Sequence, residues 1–128
     1  MDYTNEIKPL NINNFRDKNF FIGITVLKDG TINFSKASND FLKISTEKKF
    51  LIAQQEEKFL IALGEHKYGV NIRLKIKEVY RSSIGKNFAE ILIAHFKLQN
   101  QKFKRLYLID KPIMSGGFIW YELTNIQK

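Results

Sequence analysis

The run Phe20-Phe21-Ile22-Gly23-Ile24-Thr25-Val26-Leu27, the turn Lys28-Asp29-Gly30 and the run Thr31-Ile32-Asn33-Phe34 open the stretch that decides the fold. Ser35-Lys36-Ala37 then leads into a helical piece ending at Ile44, and two apolar runs follow, Phe50 to Ala53 and Phe59 to Leu63. Phe20, Ile22, Ile24 and Val26 point one way and Phe21 and Leu27 the other, the pattern of a strand buried on both faces. Asp29-Gly30 between β-like runs predicts a hairpin, because Gly accepts the positive φ of a tight turn. Ser35 is placed to cap the helix, its hydroxyl accepting from a free amide of the first turn. Ala37, Phe41 and Leu42 fall on one helical face, with Lys36, Asn39, Asp40 and Lys43 outside. A helix so short must be held by packing. The closing hairpin turns over the polar residues 54–58, with Glu56 and Glu57 at its tip.

A looser copy of this order runs from Val70 to Leu123. Val70, Ile72, Leu74 and Ile76 alternate with Asn71, Arg73, Lys75 and Lys77, which predicts a half-buried strand with a basic outer face. Ser82 or Ser83 is the expected cap of a longer helix from Gly85 to about Leu98. Phe88, Ile91, Leu92, His95 and Phe96 stand at helical spacing in it. Leu106 to Ile109 and Phe118 to Leu123 predict a second closing hairpin with a longer connection over 110–117. The copies align best through Ser35-Lys36 with Gly85-Lys86 and Phe59-Leu60 with Phe118-Ile119. The expectation is an α+β, β-rich, barrel-like domain of two β-β-α-β-β repeats, each with one helix. Its parts are a polar N-terminal arm over 1–19, a first repeat over 20–64, and a second over 70–124 that shares one core with the first. Lys8-Pro9 disfavours helix in the arm and favours an extended chain.

The order of β-run, Asp29-Gly30 turn, β-run, short helix closing on Leu42-Lys43-Ile44 and final hairpin resembles the AbrB-like swapped-hairpin family of bacterial DNA-binding domains. The resemblance covers about a third of the chain well and the second copy weakly. It implies that two units interleave their hairpins into one barrel, and that a tandem pair builds the whole barrel within one chain. The family's DNA surface is arginine-rich around the first hairpin and helix start; here those positions hold Lys28, Lys36 and Lys43 and no arginine. Whirly-like and PC4-like single-stranded DNA-binding folds are the rival, but they put the long helix after several strands rather than before its hairpin.

Among 128 residues, 21 Lys and Arg face 13 Asp and Glu, for a formal charge of +8. That balance favours polyanionic partners, nucleic acid first and acidic protein or lipid surfaces second. The absence of cysteine excludes thiolate catalysis, cysteine zinc sites and disulfides. No apolar run nears the roughly 20 residues of a membrane helix, and the start reads as no signal peptide, so a cytoplasmic protein is expected. His95 reads as a packed helix residue and His66 as a connector residue; neither has H-x-x-x-H spacing. Glu56-Glu57 are adjacent turn residues that point apart. Ser115-Gly116-Gly117 lacks the ending of a phosphate-binding loop. Phe118, Trp120 and Tyr121 read as core, with base stacking as the alternative.

The expected function is therefore a small non-enzymatic nucleic-acid-binding protein, DNA favoured, with no cofactor. It is expected as a monomer or weak homodimer. The alternative is a protein-interaction or structural module, for example of a phage or mobile-element assembly, steered to an acidic partner. The expected contacts are Arg73, Lys75 and Lys77, with Arg81 extending the row if the strand continues through Glu78-Val79-Tyr80. Lys36 and Lys86, each at a helix start, come next, because free amides there also attract phosphate.

Overall fold

A computed structural model describes residues 7–9, 21–75 and 79–126. The arm expected over 1–19 lies outside the described residues except for 7–9, and so does Lys77. The described elements are β1 (Gly23–Val26), β2 (Thr31–Phe34), α1 (Lys36–Leu42), β3 (Lys49–Gln55), β4 (Lys58–Gly64), β5 (Val70–Asn71) and β6 (Arg73–Lys75). After them come β7 (Val79–Ser83), α2 (Lys86–His95), β8 (Arg105–Leu108), β9 (Ile113–Ser115) and β10 (Phe118–Thr124).

The ten strands form one antiparallel sheet in the order β5-β3-β4-β10-β8-β1-β2-β7-β6, with β9 paired to β10. Its two ends, β5 and β6, are halves of one segment joined through the buried Ile72, so the sheet curls into a nearly closed barrel. The Ser82 hydroxyl ties the seam by donating to the Asn71 carbonyl at 2.8 Å. Hairpins alternate around this barrel. β1–β2 lies between β8 and β7, and β3–β4 lies between β5 and β10, so each hairpin from before residue 66 is flanked by strands from after it.

The interior is a single cluster that includes Ile24, Ile32, Phe50, Ile61, Leu106 and Leu123 from the strands. Helix α2 adds Ala89, Leu92 and Ile93 to it. Phe34 and Phe50 meet edge-on at 5.5 Å, and Phe59 contacts the rings of Phe88, His95 and Phe96.

Local chemistry accounts for the first hairpin and helix. Gly30 has φ 96, the Asp29 carboxylate accepts from the Thr31 N–H at 2.9 Å, and Ser35 caps α1 by accepting from the Ser38 N–H. The residue that α1 buries completely is Ser38, while Ala37, Phe41 and Leu42 are only half-buried. Its hydroxyl accepts from the Gly23 N–H at 2.7 Å and donates to the Gly23 carbonyl at 2.9 Å. Ser35 Oγ donates to the Phe21 carbonyl alongside. Gly23 leaves no room for a side chain, since a Cβ there would sit 2.0 Å from the Leu106 carbonyl oxygen.

Several expectations are corrected. The alternation over 70–77 does not run through one half-buried strand. Leu74 is 51% exposed, because β6 pairs only with β7 and the core ends at Ile72. Ser82 and Ser83 belong to β7, and Gly85 is the residue before α2, with no side-chain cap. The buried face of α2 is rotated from the one expected: Leu92 is buried with Ala89 and Ile93, and Ile91 is 55% exposed. The stretch 110–117 is not a plain connection. It holds β9, and the chain reverses through Gly116-Gly117 at φ 61 and 84. Phe118, Trp120 and Tyr121 are half-buried and lie outside the core cluster.

Candidate nucleic-acid interface

Strand pairing fixes which outward side chains become neighbours. On the barrel wall, Ile24, Ile32, Ser82 and Leu106 are buried, so the residues beside them, Thr25, Asn33, Arg81 and Arg105, face out. The register aligns these with Arg73 in one row across five strands: Arg105 opposite Thr25, Thr25 opposite Asn33, Asn33 opposite Arg81, and Arg81 opposite Arg73. Three of the chain's four arginines thus share a line of about 19 Å, at roughly 4.8 Å per strand step. Lys75, two residues beyond Arg73, is exposed on the same side of β6.

Arg81 was expected further along one strand from Arg73. It lies beside it instead, because β6 and β7 are antiparallel. Neither Arg73 nor Arg81 takes part in the ion pairs among the described residues, which are Lys49–Glu65 and Lys58–Glu122. Arg81 Nε and Asn33 Oδ1 are buried and have no hydrogen-bond partner among the described residues. Arg81 acts on the carboxylate of Asp29. Its pKa is lowered, chiefly by the Thr31 N–H, then by the Thr31 hydroxyl, with the Arg81 charge adding in the same direction.

A concave pocket of about 340 Å³ opens on this face, lined by Thr25 and Asn33 of the row together with Phe21, Leu27, Val79 and Phe103. Lys36, the first residue of α1, stands on it as well. The Arg105 guanidinium lies 4.9 Å from the ring centres of both Phe21 and Phe103, a cation–π arrangement that holds its charge in place.

Lys86 is not part of this face. It lines a separate groove of about 530 Å³ with Lys28, Lys104 and Glu90, beside α2. Arg105, Asn33, Thr25 and Phe103 were not singled out in the sequence. The signal that could have raised Arg105 is its place one residue before Leu106 at a strand start, but only the pairing of β8 with β1 makes it a neighbour of the other arginines.

His66 Nδ1 accepts from the Tyr68 N–H at 3.0 Å, and the His95 ring stacks edge-on against Phe59. No group of three or more His, Asp or Glu among the described residues is arranged to hold a metal ion. No helix among them is long and apolar enough to cross a membrane. Comparison with known proteins gave no match to a family model, a curated protein or a solved structure.

Proposed function

We propose that this chain is a small non-enzymatic nucleic-acid-binding protein, with DNA the favoured partner, that contacts its ligand through the outer face of β8-β1-β2-β7-β6. The observation that carries the reading is the row Arg105–Thr25–Asn33–Arg81–Arg73, with Lys75 beside it. Arginine matches phosphate geometry with a planar fork of donors, polar side chains between the arginines suit sugar and base edges, and the overall charge of +8 favours the encounter. Lys36 belongs to the same surface, and Lys86 with Lys28 and Lys104 offers a second basic region.

The alternation of hairpins supports reading the barrel as two β-β-α-β-β units interleaved within one chain, as the resemblance to AbrB-like swapped-hairpin domains implies. On that reading the chain acts as a monomer or weak dimer, and the arginines of its basic surface lie on strand faces rather than at the first hairpin and helix start.

The test is an electrophoretic mobility shift at moderate salt on single-stranded DNA, duplex DNA and RNA. A shift that weakens steeply as salt rises supports the reading, and no shift on any of the three removes it. A protein-interaction module is the second reading. It is favoured by Ile113, Met114 and Ile119, which the β9–β10 hairpin leaves exposed.

A further inference from the structure

The pocket in the arginine row is built differently from the surface around it. Its lining combines the polar side chains of Thr25, Asn33 and Lys36 with the apolar ones of Phe21, Leu27 and Phe103. At about 340 Å³ it lies near the lower end of small-ligand sites, roughly 300–1,000 Å³. Phe103 is 55% exposed although its ring is braced by the Arg105 guanidinium. Lys102 Nζ lies 5.4 Å from the same ring centre, and with just over half of the residue exposed the ring keeps open aromatic surface for stacking. Asn33 brings an amide with both donor and acceptor capacity, and its buried Oδ1 has no hydrogen-bond partner among the described residues. Arginines stand on both sides of these groups along the row, Arg105 on one and Arg81 with Arg73 on the other.

We propose that this pocket receives one unpaired nucleobase, stacked on Phe103 with its edge toward Asn33, while the flanking arginines hold the phosphates of the same strand. The proposal rests on the nucleic-acid reading above and narrows it to single strands. A paired base has its faces covered by its neighbours and its edge occupied by its partner. An unpaired base can be splayed out, stacked on an aromatic side chain and bonded at its edge. The sugar is not specified by these contacts, so DNA and RNA strands share the required chemistry.

The experiment measures fluorescence anisotropy of the full chain with four labelled probes of about 12 nucleotides: single-stranded DNA, the same strand with abasic central positions, the matching duplex, and single-stranded RNA. The expected result is that an intact single strand, of either sugar, binds on the order of tenfold tighter than the abasic strand and the duplex. Phe103→Ala brings the ratio of intact to abasic affinity close to one, while the loss of its brace on Arg105 falls on all probes alike; the exposure of Phe103 lets the variant fold, which its unchanged thermal melt verifies. Asn33→Ala weakens only the intact single strands. Equal affinity of the parent for intact and abasic strands, or a Phe103→Ala variant that keeps the parent's intact-to-abasic ratio, overturns the base pocket and leaves nucleic-acid binding standing. Binding to none of the probes overturns both.

Discussion

Asn33 and Arg81 are cross-strand partners on β2 and β7, and each carries a buried polar atom with no hydrogen-bond partner among the described residues, an acceptor on one and a donor on the other. A buried unpaired group costs about 1–3 kcal/mol. The pair is complementary in kind, and both atoms lie beneath the accessible surface of the row. Arg73→Gln and Arg81→Gln are each expected to lower the slope of log affinity against log salt by about one unit on nucleic acid. Asn33→Ala is expected to leave the slope alone, because it removes no charge. A salt series on the folded variants checks this, and unchanged slopes in both arginine variants would take this face out of the argument.

Asp29 predicts a pH effect of known sign. Its folded pKa is lowered below the ordinary value of 3.8. The unfolded chain therefore binds the proton more readily, and stability rises with pH through that window. The contribution is fully present above the unfolded pKa and is lost as pH falls through the folded one. Asp29→Asn keeps an oxygen for the Thr31 N–H but does not titrate. Thermal melts of parent and variant from about pH 2 to 6 should therefore show the parent losing its advantage on the acid side. A constant difference across the range would contradict the assignment.

Ser38→Ala tests the polar contact between α1 and β1. The substitution removes an acceptor from the buried Gly23 N–H and leaves the space almost filled. A loss of about 1–3 kcal/mol is expected in denaturant unfolding, with the slope on denaturant unchanged. Ser38→Thr adds a methyl group at a site with no exposed surface and is expected to lose stability through overpacking.

Glu56 adopts φ 57 in the two-residue turn between β3 and β4, a conformation that costs a residue with a Cβ roughly 1–2 kcal/mol. Glu56→Gly is expected to raise the unfolding midpoint by relieving that strain, since the other hairpin already uses Gly116-Gly117 for the same reversal. Differential scanning calorimetry measures it; a lowered midpoint would show that loss of chain entropy at Gly outweighs the relief.

What the sequence determined by itself was local. Asp29-Gly30, the cap at Ser35 and the paired runs 49–55 and 58–64 each depend on residues a few positions apart, and their propensities act before the rest of the chain is in place. Period-two alternation also tells which side chains of a strand share a face. It does not tell which strand lies alongside. Leu74 and Ile72 have the same parity in the same run, yet only Ile72 meets the core, because the barrel closes there and the β6–β7 hairpin continues past it. Arg105 stands next to Thr25 because β8 pairs with β1, across about 80 residues of chain. Pairings at that range are chosen by the closure of the barrel and the burial of one shared core, quantities no single segment contains. The arginine row, and the pocket within it, exist only in the tertiary structure.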